Sequence, residues 1–186
     1  MQPTRRSFLT LGLVAAALAL ALPAALPTAA RAEALGDILK AGVIKVAVPQ
    51  DFPPFGSVGP DLKPVGYDID VANLIAKGLG VKAELVPVTS ANRIPYLQTK
   101  KVDLVISSLG KNPEREKVID FSVAYAPFFN GIFGPADVKV EKVEDIAGMT
   151  VGVTRGSVED LELTKVAPPT AEIKRYEDNN STISAF

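Results

Sequence analysis

The chain has 186 residues, with 20 lysines and arginines against 21 acids, and holds neither histidine nor cysteine. Zinc sites, Ser-His and Cys-His nucleophile pairs, disulfides and lipid attachment through cysteine are therefore excluded. A near-neutral charge without a basic block argues against nucleic acid or an anionic membrane as partner.

Arg5 and Arg6 precede "FLTLGLVAAALALAL", a charge-free run closed by Pro23, and "ARA" at residues 30–32 has the small-x-small form of a cleavage site. A spanning helix needs about 20 apolar residues. Residues 1–32 therefore read as an export signal cut after Ala32, with an uncleaved anchor as the alternative. "TRRSFLT" is also similar to the twin-arginine export signal, although Sec export stays open. Cleavage removes Arg5, Arg6 and Arg31 but no acid, and leaves a mildly acidic chain.

Beyond the leader, helix and strand patterns alternate, which predicts an α/β class with a largely parallel sheet. "EALGDILKAG" reads as a short helix and "VIKVAV" (43–48) as a strand. Three prolines in "PQDFPPFG" exclude regular structure there. A helix follows from Asp68, with Tyr67, Val71, Leu74, Ile75 and Leu79 at helical spacing and Gly80 as cap. Then come a strand at 82–88, a short helix at 94–100, a strand at 102–106 and a helix at 112–118. The apolar segment 124–134, broken by Pro127 and Gly131, reads as a strand crossing into a second domain. There the pattern restarts with a strand at 149–153, a helix at 157–165, a strand at 172–176 and the start of another helix.

The turn "SSLGKNPER" (107–115) follows a strand and leads into a helix, the place where open α/β sheets bind ligands. Free amides at a helix start suit an anion, Ser108 and Gly110 leave room to approach them, and Arg115 offers a two-pronged contact to a carboxylate. The alternative is that Asn112 only caps the helix while Arg115 pairs with Glu116 or Asp120 on the surface.

The segments "DFPPFG", "GYDIDVANLIAKGLG", "NRIPYLQTKKVDLVISS", "PEREKVIDFS" and "GMTVGVTRGS" appear in the order and spacing of a known family. Over residues 43–186 the chain resembles the extracellular solute-binding proteins of polar amino-acid ABC importers. The resemblance implies a periplasmic-binding-protein-like type II fold, with lobe 1 at 33–125, and the crossover and part of lobe 2 at 126–186. It implies a periplasmic, non-enzymatic, monomeric receptor that closes on one free amino acid, needs no cofactor or metal, and delivers its ligand to a membrane permease. Ser108, Gly110 and Arg115 would hold the ligand's α-carboxylate, and Ser157 would close over it, although Val158 stands where a second hydroxyl is usual. Phe52 and Phe55 would wall the pocket and stack on the aliphatic part of the ligand, with plain packing of the lobe as the alternative for both. Asp68 and Asp70 read as helix-start and packing residues.

Ser90 and Arg93 are similar to the subgroup that takes glutamate and aspartate, since a buried cation favours a side-chain carboxylate. The second basic residue of that subgroup is absent from "PQDFPP", so Gln50 leaves glutamine or asparagine open, and a solvated loop role for Arg93 remains the alternative. Some members of this scaffold dehydrate prephenate-like acids, and others are sensing domains of receptors. The family pattern continues past Phe186, so a return strand of lobe 1 and an aspartate for the ligand's ammonium are expected beyond it.

Overall fold

A computed structural model describes residues 27–127 and 129–186, with side chains from residue 33 onward. The paired arginines and apolar run of the expected leader lie outside the described residues. The chain divides into two compact units, Met1–Asp37 and Ile38–Phe186. Helix α1 spans Pro27–Ala41, so its backbone runs through the expected cleavage point.

The first sheet is built around β1 (Val43–Pro49), which pairs in parallel with β5 (Lys82–Val88) along its whole length and with β6 (Leu104–Val105) on its other side. Its near-continuous apolar sequence predicts burial on both faces, and Ile44, Val46, Ala47 and Val48 are all buried. Alternate side chains point to opposite faces. Ile44, Val46 and Val48 meet Ile69, Ala72 and Ala76 of α2 (Tyr67–Leu79). Ala47 joins Val88 and Val102 on the opposite face, where Tyr96 and Leu97 of α3 (Arg93–Gln98) cover it. Fully burying each such Val or Ile side chain contributes about 1.5–3 kcal/mol.

Helix α2 turns inward part of the face expected, with Val71, Ile75 and Leu79 packed half-buried against the core. Tyr67 and Leu74 are exposed, and the buried stripe runs through Ile69, Ala72 and Ala76. The two alanines let the helix axis approach β1 closely, so the larger side chains flank the contact instead of filling it. Gly80 closes the helix as expected, with φ 70° and the Val81 N–H donating to the Ala76 carbonyl.

The proline-rich loop is a further departure. It forms a small antiparallel sheet of β2 (Asp51–Phe52), β3 (Gly56–Val58) and β4 (Pro64–Val65). Pro53 and Pro54 occupy the turn, where no ladder donor is needed, and Pro64 opens its strand. A side chain at Gly56 would collide with the Pro49 carbonyl, so only glycine lets this sheet lie against the end of β1.

No strand forms over residues 124–134 among the described residues, contrary to expectation. Phe129 and Phe133 are 93% and 89% exposed, and no neighbouring strand offers them a ladder. After a 3-10 turn at Val143–Ile146, β7 (Thr150–Thr154) pairs in parallel with β8 (Glu172–Tyr176) through α5 (Val158–Val166), and α6 (Asn179–Ser184) follows.

Candidate ligand-binding site

Three loops that follow the carboxyl ends of β5, β6 and β7 meet in space. From the first comes Arg93, in the opening turn of α3. It is 5% exposed, and its guanidinium donates to the carbonyls of Ser90 (3.2 Å), Ser107 (2.7 Å) and Ser108 (3.3 Å). Burial first, and then repulsion from Arg115, lower its pKa to about 10, with Glu159, Asp51 and Asp68 opposing the shift. The solvated-loop alternative for Arg93 is thereby ruled out.

The second loop carries Ser108, Gly110 and Arg115. Asn112 caps α4 (Pro113–Glu116), its side chain accepting the Arg115 N–H at 2.9 Å. Arg115 itself is 6% exposed, and burial lowers its pKa. Its guanidinium donates to the Gly110 carbonyl and, across the gap between loops, to the Gly156 carbonyl at 3.0 Å. The surface alternative fails for Arg115, which is buried, and Glu116 pairs with Lys111. Both guanidiniums donate to backbone carbonyls.

Ser108 sits at φ 46°, in the left-handed region that a non-glycine residue seldom adopts. Its N–H (2.8 Å) and its hydroxyl (3.0 Å) both donate to one oxygen of Asp68, and the Tyr125 hydroxyl donates to the other at 3.0 Å. Asp68 is fully buried, and that burial raises its pKa against these bonds. Tyr125 is pushed up by burial and by the Asp68 charge. The reading of Asp68 as a plain helix-start residue missed this role. Only a carboxylate set beside an apolar helix stripe could have hinted at it.

The third loop supplies Gly156 and Ser157. Ser157 caps α5, its hydroxyl accepting the Asp160 N–H at 3.1 Å. Gly156 has φ 72°, and a side chain there would come within 3.1 Å of Ala91 Cα in the β5 loop. A further bond joins the small sheet to α6, with the Asn179 N–H donating to Asp51 at 2.6 Å.

Two cavities open here. The larger, about 1270 Å³, is lined by Phe52, Ser90, Arg93, Ser108, Ser157 and Glu159, among others. The smaller, about 250 Å³, is lined by Ser90, Arg115 and Gly156, among others. The structure thus brings together Phe52, Ser90, Arg93, Ser108 and Ser157, and sets Arg115 in the adjoining groove. Gly110 lines neither cavity and serves through its carbonyl. Gln50 is exposed and lines neither, while Phe55 stacks behind Phe52 at 5.4 Å. Glu159, in the first turn of α5, is a wall residue that sequence reading passed over. Its charge is felt by both guanidiniums.

Residues 44–174 match the family of bacterial extracellular solute-binding proteins, family 3. The glutamine-binding protein of Geobacillus stearothermophilus is 37% identical over 146 residues, covering 76% of this chain and 56% of that protein. The arginine-binding extracellular protein ArtP of Bacillus subtilis is 34% identical over 104 residues, covering 56% of this chain and 41% of that one. The crystal structure of the ancestral amino acid-binding protein AncCDT-1, described as a precursor of cyclohexadienyl dehydratase, superposes with a TM-score of 0.73. It is 33% identical and covers 81% of this chain and 67% of its own. The chain spans about half the length of the curated relatives it matches.

Proposed function

The chain belongs to the bacterial extracellular solute-binding proteins, family 3, and has their type II periplasmic-binding-protein fold; on that premise we propose that it captures a free amino acid between two lobes, acidic ligands first. The observation that carries this reading is Arg93. It is a buried cation on the cavity wall, held by carbonyls, with a second buried cation close enough to repel it. Glu159, Asp51 and Asp68 compensate Arg93 only from a distance and do not outweigh its burial and the repulsion from Arg115. An incompletely compensated buried charge is costly, and a ligand that brings two carboxylates relieves both guanidiniums. A basic ligand would add a third cation to the same place, whatever ArtP binds. A neutral amide such as glutamine relieves only one.

In this reading the α-carboxylate takes the position of the Gly156 carbonyl on Arg115, and the side-chain carboxylate meets Arg93, with Phe52 against the aliphatic part. The protein is exported through its twin-arginine-like leader and works as a monomeric periplasmic receptor for the permease of an ABC importer. A charge-assisted hydrogen bond contributes about 1.5–3 kcal/mol, so Arg115→Ala should weaken binding of every amino acid about tenfold or more. Arg93→Ala should weaken glutamate and aspartate more than glutamine and asparagine. Calorimetry with a panel of amino acids tests both, and tightest binding of leucine or lysine would sink the acidic preference.

A second reading is an enzyme on this scaffold, favoured by the likeness to a dehydratase precursor and by Glu159, a carboxylate on the cavity wall suited to general acid work. Turnover of a cyclohexadienyl acid that is lost in Glu159→Gln would establish it. Absence of turnover beside tight amino-acid binding would exclude it.

A further inference from the structure

We infer that Asp68 is the positioning residue of the ligand-binding turn, holding Ser108 in the shape that serves Arg93 and tying that shape, through Tyr125, to the segment that leaves the first sheet. The inference rests on the amino-acid-binding reading above, and it adds a residue that touches no ligand.

A single fully buried carboxylate takes three donors. Two come from Ser108, 40 residues further along the chain, and one from Tyr125, 57 residues away. Gripping the N–H and the hydroxyl of one residue fixes both its backbone and its χ1 rotamer, which offsets the cost of a left-handed φ at a residue with a β-carbon. What Ser108 then presents is its carbonyl, and that carbonyl together with the one before it receives Arg93. The sequence of contacts is continuous, from Asp68 to Ser108 to Arg93.

On its other oxygen Asp68 accepts from Tyr125. The Tyr125 ring stacks on Tyr67 at 6.1 Å, and its carbonyl receives the Tyr67 hydroxyl at 3.2 Å. Tyr125 lies within the stretch without helix or strand that follows α4 and leads towards the second sheet. Displacing that stretch pulls on the same carboxylate that shapes the turn. Asp68 therefore links where the chain leaves the first sheet to how the binding turn is set.

The decisive experiment needs no ligand for its first arm. In the full chain, amide exchange should find the Ser108 N–H protected. Asp68→Ala should speed its exchange roughly a hundredfold while Val46 and Val48 in β1 keep theirs. The second arm uses whichever amino acid binds tightest to the unaltered protein, so a neutral ligand would refute the acidic preference without touching this inference. Binding should weaken about tenfold in Asp68→Ala and about threefold in Tyr125→Phe, which removes one hydroxyl from a 41% exposed side chain and keeps the fold. Unchanged Ser108 exchange in Asp68→Ala overturns the inference. So does unchanged affinity in Tyr125→Phe, which also decides the matter if Asp68→Ala fails to fold.

Discussion

The two parallel sheets deliver binding groups in the same way but are not built alike. In the first, β1 is paired on both sides and buried on both faces, and it anchors helices above and below. In the second, β7 pairs with β8 alone among the described residues, and only Val153 and Thr154 of its five residues are buried. The site divides along the same line. Its buried charged side chains, Arg93, Arg115 and Asp68, come from the well-packed side. The other side gives the half-buried Glu159, the Gly156 carbonyl and the Ser157 cap. A buried charge must be held in place by its surroundings, whereas a carbonyl at a strand end is oriented by the strand itself, so the lighter sheet carries the less demanding parts.

The sharpest way to break this contrast is to compare truncations in the two sheets. Val46→Ala in β1 should cost about 2–3 kcal/mol and Val151→Ala in the half-buried middle of β7 under about 1 kcal/mol. Urea denaturation of the full chain checks this through the shift in midpoint, and equal costs would show the second sheet to be as tightly built as the first.

Helix caps sharpen it next. Asn112→Ala and Ser157→Ala each remove one accepted N–H, at about 1 kcal/mol apiece. Both should also weaken amino-acid binding, the Asn112 change more, since that cap fixes the turn bearing Arg115, whereas Ser157 lines the cavity with a hydroxyl already engaged by the Asp160 N–H. Matching losses of affinity in the two variants would erase the distinction.

A smaller effect separates the two sides by pH. Arg93 holds its proton less tightly in the folded chain, near 10, than an ordinary guanidinium does. Its charged form therefore weighs against folding below about 10, and that penalty fades as pH climbs from there towards the unfolded value. An acidic ligand beside the guanidinium restores its hold on the proton, so binding at pH 10 should take up more protons in the unaltered protein than in Arg93→Ala, the ligand's own ammonium contributing alike to both. Calorimetry in two buffers of different ionisation enthalpy reads this directly, and equal uptake in the two proteins would remove Arg93 from the ligand. The smallest effect is expected at the surface pair of Lys165 and Glu162 (2.9 Å), where replacing either residue should leave the melting temperature unmoved.

Much of this was open to reading from residues alone. Long apolar strands, the Gly80 stop and the caps at Asn112 and Ser157 are local signals, and the structure follows them. Residues placed just after strand ends, such as Ser90, Arg93, Ser108 and Ser157, fall at the cavity for the same reason. The small sheet at residues 51–65 escaped because strands of two or three residues have no period to detect, and glycine contacts define it. The helical spacing of α2 places Val71, Ile75 and Leu79 against the core, but it gives no weight to Ala72 and Ala76, whose small size is what allows close packing. The 124–134 segment has strand-like composition but no partner to complete a ladder. Asp68 was the deepest miss, since its role depends on donors 40 and 57 residues away.

Where Gly156 faces Ala91 the two opposing loops have been pared almost to bare backbone. The spacing between them is a matter of main-chain thickness, and a larger residue at either place becomes a shim. In a receptor of the kind proposed, a shimmed version would still load its cargo but stop short of its full stroke. A downstream partner that recognises the shut outline would then ignore it, and Gly156 and Ala91 would serve as its gauge.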